Sequence, residues 1–291
     1  MKARQEESTV RLGLPKGRMK DGVLELMADG GVDVRGSERG YRPRLSLPGF
    51  EAKFLKPQNI VEMLAAGSRD IGFAGADWVA ELGFDLVQLL DTGLDSVSMV
   101  AAAPGSCLVD GGLPPGRLVV ASEYERLTTA WIEASGLDAV FVRSYGATEV
   151  FPPEDADAIV DITQTGDTLR ANNLEPVAEL MTSSTRLYAN PRALEDPVKR
   201  DRIECLTLVL GSVLEARRRV MVEVNVTAKN LASLVEVLPC MREPTLSPLH
   251  GEAGYAVKAA VLKEELPRVI PALRKRGGTD VVVTKLAQIA P

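Results

Sequence analysis

The chain has 291 residues, of which 45% are hydrophobic and 4% aromatic. At roughly 150 residues per domain, this length predicts about two domains with packed cores and excludes a disordered tail or a small disulfide-stapled protein. The 34 basic and 40 acidic side chains give a net charge of −6, so we expect no general affinity for nucleic acid or for an anionic membrane.

The cysteines and the apolar segments bear on the cell compartment. Cys107, Cys205 and Cys240 lie far apart and form no CxxC pair, which predicts neither a disulfide framework nor a zinc site. The N-terminal segment reaches a charged loop too early for a signal peptide. The apolar run Ile203–Leu214 is interrupted well before the ~20 residues of a transmembrane helix. We therefore expect a protein without a membrane span in a reducing cytoplasm.

Strands alternate with helices along the first half of the chain. Apolar residues at every second position before Pro15 predict a strand, and the helix-like run Lys20–Asp29 follows it. Such alternation is typical of layered α/β folds. The further predicted pairs are strand Phe54–Leu55 with helix Asn59–Ala66, strand Asp70–Phe73 with helix Asp77–Leu82, and strand Leu118–Ala121 with helix Tyr124–Ser135.

Two segments predict crossings between domains. The small apolar residues of Val97–Ala103 run into a Pro/Gly-rich linker, Pro104–Gly116. Further on, Thr185–Ala189 predicts a short strand that returns to the first domain, and an amphipathic helix follows it. The predicted first domain is therefore discontinuous, with residues 1–100 and 187–216, and the second domain comprises residues 101–186.

Residues 217–291 predict a separate α+β domain. Valines alternate strictly with polar residues from Val220 to Val226, which indicates a half-buried strand. The next predicted elements are helix Leu231–Leu238, strand Tyr255–Leu262, helix Leu266–Leu273 and strand Asp280–Thr284. This order, βα(β)βαβ, is the ferredoxin-like split motif, although Pro271 argues against an ideal second helix.

The segment DAIVDITQTGDTL, residues 157–169, carries the strongest chemical signal. Asp157 and Asp161 share one face of a predicted strand, so both acids are expected at one edge of a crevice. A turn rich in threonine and glycine then leads into a helix predicted to start near Asp167. Free backbone N–H groups and a glycine that permits close approach suit a terminal phosphate, and the acid upstream suits sugar hydroxyls.

The same turn also allows a structural interpretation. Thr163, Thr165 and Thr168 would then only end a strand and cap a helix, because Ser, Thr and Asp are common at such positions for local reasons.

Two other turns follow predicted strands. Lys16-Gly17-Arg18 follows the first strand, where open α/β sheets usually bind ligands, and its cations suit phosphates; a solvated basic turn is the alternative. Gly72–Asp77 repeats the arrangement, with Asp77 predicted as a helix N-cap.

The sole histidine and the tryptophans predict no further chemistry. His250 lies in a Pro/Gly-rich segment without a second metal ligand at a suitable spacing, so we expect a loop residue and no Ser-His-Asp or Cys-His mechanism. Trp78 and Trp131 fall in helical runs and are expected to pack in the core.

The chain resembles the ATP phosphoribosyltransferase family in DAIVDITQTGDTLRANNL, LGLPKGR and DIGFAGADWVAELG. Its tail, with VEVNVTAKNL and LPCMREPTLSPL, resembles the histidine-binding regulatory domain of the long form, and the resemblance runs from about Val10 to Ile289. It implies the first reaction of histidine biosynthesis, in which adenine N1 of ATP attacks C1 of phosphoribosyl pyrophosphate. Pyrophosphate leaves and phosphoribosyl-ATP forms. Adenine N1 carries no proton, so no general base is needed.

The resemblance also implies an architecture and partners. The fold would be two periplasmic-binding-protein-like α/β domains that form the active-site cleft, with an appended ACT-like domain. Mg²⁺ would bind with the substrate phosphates rather than in a protein cage. Histidine would inhibit a homo-oligomer that ranges from dimer to hexamer.

The family motifs imply roles for individual residues. Asp161 would face the ribose hydroxyls with support from Asp157, and Lys16, Gly17 and Arg18 would hold substrate phosphates. The loop for the 5-phosphate would comprise Thr163, Gln164, Thr165, Gly166, Asp167 and Thr168. Further pocket candidates are Glu149, Gly75, Arg39 and Tyr41, and the candidate histidine site comprises Asn225, Met241, Thr245 and Asp280.

Two departures from the family pattern leave questions open. Lys56–Asn59 stands where the family usually has an Arg followed by an Asp, which affects substrate contacts from that loop. Asp280 stands where a small residue is common, so its carboxylate would either pair with the amino group of histidine or exclude the ligand.

The alternatives to a phosphoribosyltransferase are a small-molecule-binding protein of the same cleft architecture and a non-catalytic paralogue. The missing signal peptide and the intact KGR and TGDTL motifs disfavour them.

Overall fold

The computed structural model describes residues 8–36 and 40–290. Arg39, a candidate for the nucleotide side, lies outside the described residues. The chain divides into two compact units: the first contains Val32–Glu204 and the chain up to Glu25, and the second contains Leu26–Gly31 and the chain from Cys205.

The first unit begins with parallel strands and helices close to those predicted. Strand β1 pairs in parallel with β4 on one side and β5 on the other. The predicted Phe54–Leu55 is the end of a longer strand, β4, of which half of the residues are polar or small. The elements are β1 (Val10–Pro15), α1 (Met19–Asp29, of which the part from Leu26 belongs to the second unit), β2 (Val34–Arg35), β3 (Arg44–Leu45), β4 (Phe50–Leu55), α2 (Pro57–Ala65), β5 (Ile71–Gly75) and α3 (Ala76–Leu82).

Two strands are much longer than predicted. Strand β6 (Val87–Pro104) and strand β10 (Leu174–Ala189) form an antiparallel ribbon. The prediction of a short returning strand at Thr185–Ala189 was wrong about its length. Register irregularities interrupt β10 several times, and each such bulge disturbs the alternation by which a strand is recognised.

The remaining elements of the first unit include a second parallel group of strands. These elements are β7 (Leu118–Ser122), α4 (Glu125–Ala134), β8 (Ala139–Arg143), β9 (Ala158–Thr163), α5 (Asp167–Ala171) and the start of α6 (Pro197–Arg218). The second parallel group is formed by β7, β8 and β9. All the long strands join one eight-stranded sheet in the order β4-β1-β5-β10-β6-β9-β7-β8. Its core includes Leu12, Phe73, Met99 and Ile159, and Trp78 and Trp131 pack against it as predicted.

The strand register brings the carboxyl ends of both parallel groups to the middle of the β6–β10 ribbon. At the end of β5, Gly75 pairs with Thr185 of β10. At the end of β9, Thr163 pairs with Ser98 of β6, which also pairs with Thr182. Thr182 and Thr185 are about 10 Å apart along one strand. The loops after β1 and β5 and those after β7 and β9 therefore face one region, here called the crevice.

The second unit has the predicted ferredoxin-like element order. Its strands and helices are β11 (Arg219–Val226), α7 (Leu231–Val235), β12 (Thr245–Pro248), β13 (Tyr255–Leu262), α8 (Leu266–Lys275) and β14 (Thr279–Lys285), together with the end of α6. The antiparallel sheet runs β12-β13-β11-β14, and burial alternates along β11 as predicted. Helix α7 ends before the predicted Leu238. Helix α8 continues through Pro271.

Candidate active site

Asp161 lies near the carboxyl end of β9, where β9 reaches the crevice. One oxygen, Oδ1, accepts the backbone N–H of Ile162 at 2.7 Å. Burial, together with smaller contributions from the charges of Glu149 and Glu123, raises the pKa of Asp161 to about 6. A carboxylate that is costly to keep ionised is suited to stabilise positive charge that develops beside it.

The two neighbouring acids come from different loops. Glu149 lies in the short 3₁₀ turn Thr148–Val150, which is held by a buried 2.8 Å hydrogen bond between the Ser144 and Thr148 hydroxyls. Glu123 follows directly after β7 and was not predicted as a site residue. Its position just beyond a predicted strand was the signal that pointed to the crevice.

Asp157 is not brought to the same place. It precedes β9, whereas Asp161 lies near the other end of that strand, about 13 Å away at the usual rise per residue. Its Oδ2 accepts the backbone N–H of Val119 at 2.7 Å, and its own N–H donates to the carbonyl of Val119. The expectation that both acids lie at one crevice edge was therefore wrong: the two residues share a strand face, but Asp157 joins β9 to β7.

The predicted phosphate loop precedes a very short helix. Helix α5 starts at Asp167 as predicted but has five residues, so its dipole is small. Gly166 adopts φ +75°, a conformation that favours glycine, and its N–H donates to the Thr163 hydroxyl at 3.0 Å.

The Asp167 carboxylate contacts two polar side chains of this segment. Its carboxylate accepts the Thr165 hydroxyl at 2.5 Å and pairs with the Arg170 guanidinium at 2.5 Å, while Gln164 and Thr168 stay exposed. A cavity of about 540 Å³ borders the loop. It is lined by Thr163, Gln164, Thr165, Gly166 and Arg170, with Ser98 and residues of β10 opposite.

The Lys16 turn brings a cation and an aromatic ring together. Gly17 has φ +73° and its carbonyl accepts the N–H of Lys20 at 3.1 Å. The Lys16 ammonium lies 3.5 Å from the centre of the Tyr41 ring, a cation–π contact, and Arg18 is exposed. The predicted phosphate and nucleotide candidates Lys16 and Tyr41 are thus neighbours.

Asp77 is not the N-cap that was predicted. Gly75 holds the N-cap position of α3, and Asp77 lies in the first turn with a buried carboxylate. A Cβ on Gly75 would lie 2.0 Å from Asp77 Oδ1, so the glycine leaves room for that carboxylate. The structure therefore explains Gly75 by packing against Asp77.

The segment Lys56–Asn59 joins β4 to α2. Lys56 is exposed at the N-cap of α2, and the Asn59 amide donates to Glu62 at 3.0 Å. The amide oxygen of Gln58 is buried and has no hydrogen-bond partner among the described residues. The segment therefore presents one positive charge, that of Lys56, to solvent.

The candidate histidine residues are split across the second unit. The Asn225 amide donates to Asp280 Oδ2 at 3.2 Å, and Asp280 has φ +49° at a register irregularity between β11 and β14. Thr245 lies on β12, the opposite edge strand, and Met241 precedes it. His250 lies in a 3₁₀ turn, His250–Glu252, in the segment between β12 and β13. Within one chain, Asn225 and Asp280 are therefore neighbours, and Thr245 lies on the opposite edge strand of the sheet.

Comparisons with known proteins identify the family to which the chain is similar. Residues 56–211 match the family described as ATP phosphoribosyltransferase, and residues 216–288 match the C-terminal domain of HisG. The chain is 33% identical to the ATP phosphoribosyltransferase of Chlorobium phaeovibrioides over 94% of each chain. It is 32% identical to that of Pelotomaculum thermopropionicum over 97% of this chain and 99% of the relative.

A solved structure extends the likeness to three dimensions. A chain of the ATP phosphoribosyl transferase (HisG:HisZ) complex from Thermotoga maritima superposes with a TM-score of 0.63 at 27% identity, covering 71% of this chain and 99% of that chain. The predicted fold class is confirmed: a periplasmic-binding-protein-like α/β unit carries a C-terminal antiparallel α+β domain.

The fold and the family matches define a phosphoribosyltransferase. The chain belongs to the ATP phosphoribosyltransferase family, in its long form with a C-terminal regulatory domain, and catalyses the first step of histidine biosynthesis. Within the described residues, none of the helices combines the length and the apolar character that a membrane crossing requires.

Proposed function

We propose that the transfer of phosphoribose to ATP takes place in the crevice, with Asp161 beside the ribose and with the Lys16 turn and the Thr163–Thr168 loop on the substrate phosphates. One observation carries this assignment. The register of β5 and β9 on the β6–β10 ribbon points the carboxyl ends of both parallel groups at each other, so residues far apart in sequence converge there. Ligands of open α/β sheets bind at such carboxyl ends.

The chemistry requires positioning and charge stabilisation rather than proton transfer. The anomeric carbon becomes positive as pyrophosphate departs, and the ionised Asp161 carboxylate stabilises that charge from a partly desolvated position. Holding adenine N1 in line with this carbon supplies the remaining rate advantage. Lys16 and Arg18 counter the phosphate charges, and Tyr41 lies beside Lys16 on the nucleotide side.

Mg²⁺ is the proposed cofactor. The described residues contain no group of three or more metal-binding side chains, and the acids near the crevice are Asp161, Glu149 and Glu123. Such a donor set fits an ion that is held mainly by substrate phosphates and water, with a carboxylate in support. When bound, the ion neutralises the leaving pyrophosphate.

A steady-state assay of the purified chain tests the proposed site. Phosphoribosyl-ATP formation is followed with ATP, phosphoribosyl pyrophosphate and Mg²⁺, with and without histidine. We expect turnover that requires all three components. A folded chain without turnover would contradict the proposed function.

Removing the charge of Asp167 is expected to tighten phosphoribosyl pyrophosphate binding. The carboxylate repels the incoming phosphate and engages both Thr165 and Arg170. Because the side chains of Asp167, Thr165 and Arg170 are exposed, the effect is modest. Asp167→Asn should lower the KM for phosphoribosyl pyrophosphate about threefold, with kcat unchanged. Initial rates at varied substrate concentration measure it. Asp155 is an exposed acid away from this loop, and Asp155→Asn is the control. A raised KM in Asp167→Asn would contradict the prediction and show that the Asp167 carboxylate binds the substrate.

We propose that histidine inhibits the enzyme through the second unit and that its binding site requires a second chain. Asn225 and Asp280 lie on one side of the sheet and Thr245 on the opposite edge, so a site built from all of them is completed by a neighbouring copy. This supports a homo-oligomer, between dimer and hexamer.

The acidic chain, with ATP and phosphoribosyl pyrophosphate as substrates, is proposed to act in the cytoplasm without nucleic-acid or membrane partners.

Asp280→Gly is expected to sharpen inhibition by histidine. Asp280 holds the Asn225 amide and adopts φ +49°, where glycine is unstrained. The substitution releases Asn225 for the ligand, and we expect the histidine concentration for half-inhibition to fall about fivefold, a coupling of about 1 kcal/mol. Dose–response curves for the two proteins measure it. Weaker inhibition in the variant would show that the carboxylate binds histidine.

A further inference from the structure

Helix α3 carries a buried carboxylate, Asp77, that contacts both the turn between β7 and α4 and the strand β10. Asp77 is 3% exposed. Its Oδ2 accepts the Tyr124 hydroxyl at 2.9 Å, and its Oδ1 accepts the Ser183 hydroxyl at 2.7 Å. The Ser183 oxygen also accepts the backbone N–H of Asp77 at 3.1 Å. The carboxylate is thus stabilised by hydroxyl groups from the β7–α4 turn and from the middle of β10.

A second acid on the same helix caps a helix of the other group. Glu81, also buried, accepts the backbone N–H groups of Arg126 and Leu127 at 3.0 Å each. These amides belong to the first turn of α4, whose own N-cap residue makes no side-chain cap hydrogen bond. The Arg126 guanidinium in return donates to the carbonyl of Ala80 at 2.6 Å. Helix α4 therefore takes its cap from α3.

These contacts join the two groups of parallel strands. Asp77 and Glu81 are four residues apart and share one face of α3, which follows β5. Between them Trp78 packs against Tyr124, with ring centres 4.6 Å apart, and contacts the cores of both groups. We call Asp77, Trp78 and Glu81 with their partners Tyr124 and Arg126 the α3–α4 clamp.

The other link between the two groups is the β6–β10 ribbon, which is irregular where the clamp meets it. The register of β10 shifts between Ser183 and Thr185 and again between Thr185 and Arg186, and Asp95 opposite adopts φ +50°. Bulges of this kind bend and twist a ribbon locally. Alone, the ribbon would leave the angle between the two groups weakly determined.

We propose that Asp77 and Glu81 are positioning residues for the transferase reaction: the α3–α4 clamp fixes the distance across the crevice between the Lys16 turn and the Thr163–Thr168 loop. This inference rests on the proposed function of the crevice. The reaction joins an atom of one substrate to an atom of the other, and a displacement of about 1 Å can cost a hundredfold in rate. A loosened clamp leaves each loop intact and disturbs their relative placement.

Kinetics of clamp variants provide the first test. Tyr124→Phe removes one hydroxyl and keeps the ring against Trp78, and Glu81→Gln keeps one acceptor for the α4 amides. In the double variant we expect kcat to fall about tenfold, with each KM changed less than about threefold, because alignment rather than binding is lost. Tyr255→Phe, a half-buried tyrosine in the second unit, is the matched control and should keep the wild-type kcat.

A distance measurement tests the clamp without reference to activity. In a background with Cys107→Ser, Cys205→Ser and Cys240→Ser, spin labels at Glu62→Cys and Asp138→Cys report the separation of the two groups by double electron–electron resonance. Both positions are exposed. We expect a narrow distribution for the wild-type clamp and a broader or shifted one for the double variant.

The two readouts separate the possible failures. An unchanged distance distribution overturns the clamp even if activity falls. A broader distribution with wild-type kcat shows that the clamp does not position the reaction, which also overturns the proposal. If the wild-type chain lacks transferase activity, the proposed function fails, and the distance measurement still decides whether the clamp holds the two groups.

Discussion

Asp161→Asn is expected to lower turnover at least a hundredfold while the chain stays folded. The substitution keeps the shape of the side chain and removes the negative charge that we propose faces the ribose. The loss of one charge-stabilising group of this kind costs about two to three orders of magnitude in kcat. Initial rates at saturating substrates, with circular dichroism to verify folding, measure the effect. A folded Asp161→Asn variant at the wild-type rate would falsify the role assigned to Asp161.

The same variant should be more stable than the wild type at neutral pH. The folded-state pKa of Asp161 is raised to about 6, mainly by burial, so between about pH 4 and pH 6 the folded chain retains a proton that the unfolded chain has already released. The stability that this group contributes is present below its unfolded pKa of about 4 and is lost as the pH rises through about 6. We therefore expect Asp161→Asn to raise the free energy of unfolding by about 1–3 kcal/mol at pH 8, with little difference near pH 4.

Urea unfolding at the two pH values measures this difference, and Asp157→Asn is the matched comparison. The amide oxygen of the substituted side chain would still accept the N–H of Val119, and Asp157 lies away from the crevice, so that variant should keep wild-type turnover and show no comparable gain at pH 8. If Asp157→Asn lost as much activity as Asp161→Asn, Asp157 would support Asp161 at the ribose, as the resemblance to the family implied.

Lys16→Met should lower kcat/KM by roughly 10- to 100-fold, since a charge-assisted hydrogen bond to a phosphate contributes about 1.5–3 kcal/mol. The loss should appear mainly as a higher KM for one of the two substrates. Methionine keeps most of the length of the side chain and removes the ammonium that contacts the Tyr41 ring. Separate KM determinations for ATP and phosphoribosyl pyrophosphate identify the substrate whose phosphate Lys16 holds.

Lys53→Met on β4 is the control for this variant. Lys53 lies in the same sheet but before the carboxyl end of its strand, so we expect wild-type kinetics. Equal losses in the two lysine variants would point to a general effect of net charge on anionic substrates. An unchanged kcat/KM in Lys16→Met would remove the Lys16 turn from the substrate site.

Much of the fold and of the site was predictable because it depends on local signals. The bounds of β1 and β13 follow from alternation and flanking turns, and the start of α5 at Asp167 follows from the glycine before it. The crevice loops were predictable because loops that follow parallel strands share an edge of the sheet. Errors occurred at β10, where bulges break the alternation, and at Asp157, whose partner on β7 is 38 positions away. Others were at Asp77, which lies inside α3 rather than at its N-cap, and at the end of α7.

The amino-acid sequence was sufficient for the type of most elements, the motifs that mark the family and the residue types at the crevice, because periodicity, turn chemistry and motif spacing are local properties. It was not sufficient for β2, β3, β6 and β8, which were not predicted as strands. The tertiary structure alone decided which acids act together. It separates Asp157 from Asp161, brings the charges of Glu123 and Glu149 to bear on Asp161, and joins Asp77 to Tyr124 and Ser183, which are 47 and 106 positions away. These contacts depend on the register of β6 with β10, and a long-range register is set by how whole elements pack.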